Sequence, residues 1–497
     1  MAMKILIFAP YAINTPHFET ELEIAQRHLD SGDQITLLAC NGHLPTCDVN
    51  PTHTLSGCLQ CLSRRVEGLK LLSERIQVKP LLLLSEQDRQ EQRQLKTVFP
   101  DFSELKRYRI EDFEIGYAAL SSLISLVKDS EPDLKAHEEI LRRLIIAGHA
   151  VYRSVQNYLT IAPADRAYVY NGRYAPMRAA FRACKSRSVE CFLHERGGTF
   201  DRFYLVENDL LHDYKKQSRL MQEAWAKSDP VERERQGSQM YIDNSNSISH
   251  RWVAHSKDQE KGRLPEDWDD TKNNVVLFSS SEHEYAAIGD MWNSPLYQSH
   301  FEGLQRIIAS VSGDSRVHLY LRIHPNLKGL DNQQTRRLKS LSAPNLTVIP
   351  AESPISSYAL LFKASKIVTY GSTLGIEAVY WGTPSILAGQ SHYRDLGGNY
   401  TPQTHDELIE MLYAKLAPKD KTAALIYGFY WSTRGDRFKY FKPTGLFAGE
   451  FKGKVIKPLV WNVLAGIGLT RESAPAEAKP TMEKVLPFSL PGAPSPT

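Results

Sequence analysis

Residues 366–387 read KIVTYGSTLGIEAVYWGTPSIL, and few folds accept such a stretch. The β-branched run before Gly371 predicts a buried strand, Ser372-Thr373 open a helix, Gly382 ends it, and SIL starts another strand. Strand, helix and strand in direct succession imply a parallel sheet, because parallel neighbours need a crossover. Ligands of such sheets bind beyond the carboxyl ends of the strands. Gly371 lets the backbone turn sharply and a ligand come close. Free N–H groups at the helix start, with the hydroxyls of Ser372 and Thr373, favour an anion, phosphate foremost. Glu377 lies four residues after Thr373 on the same helix face. In a helix otherwise apolar its carboxylate needs partners. Phosphate above and a diol below describe a nucleotide. The competing reading is a plain capped helix with Glu377 on a solvated face.

A second phosphate element lies two strands earlier, in LRIHPN. His324 falls at the end of the strand VHLYLRI, and Pro325 terminates it. An imidazole there can donate to a phosphoryl oxygen and, as a cation, stabilise a leaving phosphate. Arg322 alternates with His324 and shares its side of the strand. A simple loop cap is the plainer reading of His324. Ser280, in FSSSEHEY after the strand NNVVLF, sits at the same edge and can touch the donor or cap the next helix.

The amino-terminal half begins with another β-α-β pattern, MKILIFAPY to QITLLA, where Thr15 is expected to cap a helix with Pro16 at its first position. Residues 60–160 read as helical, strands are expected at 166–173 and 188–198, and 211–262 read as a polar linker. The expected fold class is α/β, two tandem Rossmann-like domains with a helical insertion in the first. The expected divisions are 1–255, 256–420, a segment 421–470 crossing back to the first domain, and a disordered Pro/Ala/Ser-rich tail at 471–497. A chain of 497 residues is too long for one core. Its 60 basic against 57 acidic residues leave no electrostatic footprint for nucleic acid. No run approaches the ~18 apolar residues of a membrane helix, and the start does not resemble a signal peptide, so a cytoplasmic setting is expected.

Residues 318–400 resemble the nucleotide-binding half of GT-B glycosyltransferases, in particular the bacterial capsule polysaccharide biosynthesis family. RIHPN, YGSTLGIEAVYWGTPSILAG and SHYRD carry the resemblance. Bacterial sialyltransferases and Kdo transferases show a similar His-Pro and Ser-Ser or Ser-Thr pairing around the phosphate of a CMP-sugar. The resemblance implies that Ser372, Thr373 and Glu377 hold phosphate and ribose, with His324 at the phosphate. It implies a nucleotide-sugar donor, CMP slightly ahead of UDP or GDP, and transfer to a surface glycan or lipid-linked acceptor without a catalytic metal.

The base and acceptor site then belong to the amino-terminal half. YVYNGR ends a strand at Asn171 and Arg173, which are expected at the acceptor; CFLHERGG ends the next at His194 and Glu195. Glu195 is the first candidate for general base and His194 the second, with an Arg173–Glu195 structural pair as the alternative. His17, in the first strand-to-helix loop, is also expected at the cleft. The aromatic and basic segment 427–443 is expected to cross back to the first domain, or to lie on a membrane surface near a lipid-linked acceptor. A sugar-nucleotide epimerase or polyol-phosphate transferase on the same scaffold, and a non-catalytic nucleotide- or glycan-binding protein, are the other functions this pattern allows.

Four of the six cysteines, Cys40, Cys47, Cys58 and Cys61, lie close together in sequence, and Cys58-x2-Cys61 is a metal-binding spacing. A structural zinc is expected there, with His43 or His53 able to replace a cysteine. Four unligated thiols are the alternative.

Overall fold

The computed structural model describes residues 2–250 and 256–458. The end of the expected returning segment and the expected tail lie outside the described residues. In chain order the first elements are β1 (Lys4–Ala9), α1 (His17–Asp30), β2 (Gln34–Ala39), α2 (Leu55–Leu69) and β3 (Gln77–Pro80). Then come α3 (Glu86–Arg93), α4 (Phe102–Arg107), α5 (Ile115–Val127) and α6 (Glu138–Ile161). β4 (Arg166–Tyr170), α7 (Ala175–Ser186), β5 (Glu190–Arg196) and β6 (Arg202–Glu207) complete the first half. After α8 (Tyr214–Lys227) and α9 (Pro230–Ser245) a second series runs β7 (Asn274–Phe278), α10 (His300–Ser310), β8 (His318–Arg322), α11 (Gln333–Lys339) and β9 (Leu346–Ile349). It continues with α12 (Ser357–Lys363), β10 (Lys366–Thr369), α13 (Leu374–Trp381), β11 (Ser385–Leu387) and α14 (His405–Tyr413). The chain returns through α15 (Thr422–Thr433), β12 (Asp436–Arg437), β13 (Phe441–Gly445) and β14 (Ala448–Phe451).

The strands form two large sheets. The first has the order β12-β6-β5-β4-β1-β2-β3, parallel from β5 to β3, with β6 and β12 antiparallel at one edge. The second has the order β11-β10-β7-β8-β9 and is parallel throughout. Each is the doubly wound Rossmann arrangement, in which the chain reverses direction of build-up beside its first strand. The fold is therefore α/β, two Rossmann-like sheets in tandem.

Strand alternation explains why both sheets are covered on two faces. Leu6 and Phe8 of β1 enter one hydrophobic cluster, while Ile5, Ile7 and Ala9 enter another. In β7, Val275 and Leu277 face one cluster, and Val276 and Phe278 the opposite one. Burying each such side chain contributes about 1.5–3 kcal/mol. A further cluster, with Met221, Tyr241, Ile376, Tyr393 and Tyr427, binds α8 and α9 to α13 and α15. The segment read as a polar linker thus contains a packed helical pair that buries Met221 and Tyr241.

The two halves also meet through polar contacts. Arg173 donates to the carbonyls of His283 (3.1 Å) and Glu284 (2.7 Å), and Arg178 to that of Ile288 (2.6 Å). The Trp292 indole N–H donates to the His212 carbonyl at 2.8 Å. The returning segment is gripped by α1, where buried Glu23 accepts the backbone N–H groups of Lys439 (2.7 Å) and Tyr440 (2.8 Å).

Two local expectations change. α1 starts at His17 without a side-chain cap, because Thr15 donates instead to Glu19 (3.2 Å), whose buried carboxylate needs donors. The region read as helical contains the edge strand β3, exposed along its whole length.

Candidate functional site

A cavity of about 970 Å³ lies between the two sheets at the carboxyl ends of their strands. In the second sheet the build-up reverses between β7 and β10, and the loops after those strands carry Ser279–Ser281 and Gly371–Thr373. In the first sheet it reverses between β1 and β4, whose loops lead to His17 and Asn171. The crevices at both reversal points open into the same cavity.

On the carboxy-terminal side the backbone geometry is set by Gly371. Its φ is +140°, and a Cβ there would stand 2.6 Å from the Gln390 carbonyl oxygen. Thr373 is the N-cap of α13 but makes no side-chain cap bond, and the Ser372 hydroxyl accepts the Leu374 N–H at 3.4 Å. Ser280 Oγ is buried and makes no hydrogen bond in the described residues. Ser279 Oγ accepts the His324 backbone N–H (3.0 Å), and Ser281 Oγ lies 3.3 Å from His324 Nδ1. His324 Nδ1 also accepts the Asn326 N–H at 3.1 Å. A ring nitrogen that accepts carries no proton, so the imidazole is the tautomer protonated at Nε2. In that tautomer the Nε2–H is the group that can donate to a phosphoryl oxygen.

Arg322 also lines the cavity, but its guanidinium donates to the carbonyls of Pro350 and Ser353 (3.2 Å). It braces the β8–β9 edge rather than offering its charge to a phosphate. Glu377 is 3% exposed and accepts the Tyr358 hydroxyl at 2.5 Å. Burial raises its carboxyl, and hydrogen bonds from Tyr358, Thr373 and Asn244 oppose that rise. The carboxylate is therefore held in place beneath the Ser372-Thr373 turn. Tyr358 and Asn244 were not expected, since they come from α12 and α9 and have no motif of their own.

On the amino-terminal side Glu195, His17 and Asn171 line the cavity. Asn171 Nδ2 donates to Glu195 Oε2 (2.8 Å), and the Arg196 N–H donates to Glu195 Oε1 (3.0 Å). His17 packs on the Tyr170 ring at 4.0 Å, and its Nδ1 is 3.8 Å from Glu195 Oε1. Burial, aided by Arg196, pushes the His17 imidazole well below its ordinary range. The two side chains are thus neighbours but not an ion pair.

His194 is fully buried on the other side of β5, and neither ring nitrogen has a hydrogen-bond partner. Successive residues of a strand point to opposite faces, so Glu195 and His194 cannot share the cavity. Arg173 is likewise not at the acceptor wall: Ser121 (2.8 Å) and the carbonyls of residues 283 and 284 take its guanidinium. The alternative Arg173–Glu195 pair is not formed.

The cysteines do not assemble the expected zinc set: among the described residues no group of three or more His, Cys, Asp or Glu side chains is placed to hold a metal ion. Cys58 and Cys61 lie on helix α2 rather than on a knuckle loop. Cys61 Sγ accepts the Ala12 N–H (3.1 Å), and Cys40 Sγ accepts the Gly42 N–H (3.3 Å). Burial pushes the Cys47 thiol up to about 12.

SHYRD and the returning segment add an aromatic and basic stretch of wall: His392, Tyr427, Trp431 and Arg434. Among the described residues no helix is long and apolar enough to cross a membrane.

No protein-family model and no curated protein sequence matches this chain. Solved structures do align with it. The Thermosulfurimonas dismutans KpsC beta Kdo 2,4 transferase shares 13% identity over 61% of this chain and 87% of its own, at a TM-score of 0.37. The UDP-GlcNAc 2-epimerase from Neisseria meningitidis bound to UDP-GlcNAc shares 11% over 86% and 97%, at 0.29. The calicheamicin glycosyltransferase CalG4 shares 13% over 87% and 94%, at 0.25. Similarity at this level adds nothing to the reading of the site, which stands on its own geometry.

Proposed function

We propose that this protein transfers a sugar from a nucleotide-sugar donor to a glycan or lipid-linked acceptor, without a catalytic metal. The observation that carries the reading is a cavity shared by two Rossmann-like sheets, with a held carboxylate on one wall and phosphate-type donors on the other. Ser280, Ser372, Thr373 and the Nε2–H of His324 receive the donor's phosphate, aided by the start of α13. Glu377 accepts from the ribose hydroxyls. Glu195 takes the proton of the acceptor hydroxyl as that oxygen bonds to the anomeric carbon. The bond from that carbon to the phosphate oxygen breaks, and its electron pair stays on the phosphate. Asn171 and the Arg196 N–H fix the carboxylate for this task, and neutral His17 beside it leaves its charge available.

The test begins with a thermal-shift panel of CMP, CDP, UDP, GDP and dTDP, in which one nucleotide should stabilise the fold by mass action. The matching nucleotide-sugar is then incubated with and without glycan acceptors. Acceptor-dependent release of the nucleotide supports transfer. Conversion of the nucleotide-sugar without acceptor indicates an epimerase, and binding without turnover a non-catalytic protein; either overturns the proposal.

A further inference from the structure

Beyond the phosphate wall the cavity is lined by an arginine set among aromatic rings and two histidines. Arg434 follows α15 and lies against the Gly197-Gly198 turn after Glu195, its carbonyl accepting the Gly198 N–H at 2.9 Å. Its guanidinium stacks 3.5 Å from the Trp431 ring centroid and 4.1 Å from that of Tyr204. Those faces position it, yet among the described residues the guanidinium has no carboxylate within ion-pair distance, and its buried Nε makes no hydrogen bond. His212 lines the same region, and its buried Nδ1 also lacks a partner. His392 stands 4.9 Å from the Trp292 ring and 5.7 Å from that of Trp431. Burial pushes the His212 imidazole well below its ordinary range, with Arg173, His392, Arg178 and Arg434 acting in the same direction.

A half-buried arginine whose fork is oriented by aromatic faces and has no ion-pair partner among the described residues is suited to a planar or tetrahedral anion. Aromatic walls beside it suit the apolar face of a sugar ring. The donor phosphate has its own partners at Ser280, His324 and the α13 start. Arg434 instead adjoins the turn that follows Glu195, on the acceptor side.

We propose that Arg434, with His212 and His392 on the Trp292–Trp431 wall, binds a carboxylate or phosphate carried by the acceptor sugar. The proposal rests on the transfer reading for the word acceptor, but the binding site does not depend on turnover.

The test is calorimetric titration with charged and neutral sugar pairs: methyl glucuronide against methyl glucoside, methyl galacturonide against methyl galactoside, and glucose 6-phosphate against glucose. At least one anionic member should bind tenfold or more tightly than its neutral counterpart. That preference should vanish in Arg434→Gln, return in part in Arg434→Lys, and persist with saturating nucleotide from the thermal-shift panel. Nucleotide affinity, unchanged in both variants, reports that they are folded. The proposal is overturned if no anionic sugar is preferred or if the preference survives Arg434→Gln. It is also overturned, in favour of a charged donor sugar, if nucleotide abolishes anion binding and Arg434→Gln weakens UDP-glucuronate but not UDP-glucose. Anion binding without any transfer would defeat the transferase reading and leave the site standing.

Discussion

His17 Nδ1 stands 3.8 Å from Glu195 Oε1, and the two are neighbours without being an ion pair. Burial and the Arg196 guanidinium keep the imidazole neutral, so it does not quench the carboxylate. Asn171 and the Arg196 N–H hold both carboxylate oxygens while leaving the group on the cavity wall.

A base in that position should be dispensable for nucleotide binding and essential for transfer. Glu195→Gln keeps the shape and the Asn171 contact side, and it should lower turnover by roughly 10²–10⁴-fold, the usual worth of a general base. Nucleotide affinity should stay within twofold of wild type. His17→Asn should lower turnover less. Normal turnover of Glu195→Gln in a single-turnover assay would show that the carboxylate is structural.

Glu377 gives a second, independent check. It is buried and tied to Tyr358 at 2.5 Å, so its position is fixed before any ligand arrives. Loss of a charge-assisted contact should weaken nucleotide binding by about 1.5–3 kcal/mol. Glu377→Gln, titrated with the stabilising nucleotide and with its 2′-deoxy form, should lose most of the difference between the two. A variant that still tells ribose from deoxyribose as wild type does would remove the diol assignment.

The sheets were legible because β1 and β7 are buried on both faces, which leaves continuous β-branched runs in the sequence. β3 was not, since an exposed edge strand ending in Pro80 has no hydrophobic pattern to read. The same physics limited the site. Strand ends at a reversal point in a doubly wound sheet must face a cleft, so Ser280, Gly371, His17 and Asn171 could be named from order alone. Which of His194 and Glu195 faces the cleft depends on the face that α1 covers, and both faces of β5 carry polar residues there. Arg322 and Arg173 read as site charges, yet carbonyls at distant positions claim them. Arg434, His212 and His392 meet only through the returning chain, which no local spacing encodes.

Buried histidines should make the fold sensitive to acid. His194 is pushed down to about 3, and His283 and His300 to about 4, in each case mainly by burial. Their folded values lie below the ordinary 6.5, so the unfolded chain takes up protons first as pH falls. The stability they permit is complete above 6.5 and drains as pH falls towards their folded values. Each contributes ~1.4 kcal/mol per pH unit in that window. His194→Leu removes one such group and leaves no orphaned ring nitrogen. Its urea-derived stability should therefore fall by about 2 kcal/mol less than that of wild type between pH 6.5 and pH 5. Equal losses in the two proteins would mean that His194 does not titrate on unfolding.

The last prediction concerns how the returning segment is held. Glu23 is fully buried in α1, and its two oxygens accept the backbone N–H groups of Lys439 (2.7 Å), Tyr440 (2.8 Å) and Phe441 (3.2 Å), with Arg27 Nε at 2.8 Å. One carboxylate thus anchors the hairpin of β13 and β14, whose tip lies beside Arg196: Leu446 accepts its guanidinium at 2.6 Å and Phe447 lies beneath it at 4.9 Å. Glu23→Ala leaves those buried N–H groups without an acceptor and should cost about 3 kcal/mol or more. Hydrogen exchange is the discriminating measurement. The amides of residues 439–441 should be protected in the native protein and exchange faster in the variant, while β7 and β10 keep their protection. Turnover should drop as well, because Arg196 loses its support next to Glu195, but nucleotide affinity should not. If amides 439–441 stay protected in Glu23→Ala, hairpin packing rather than the carboxylate holds the segment.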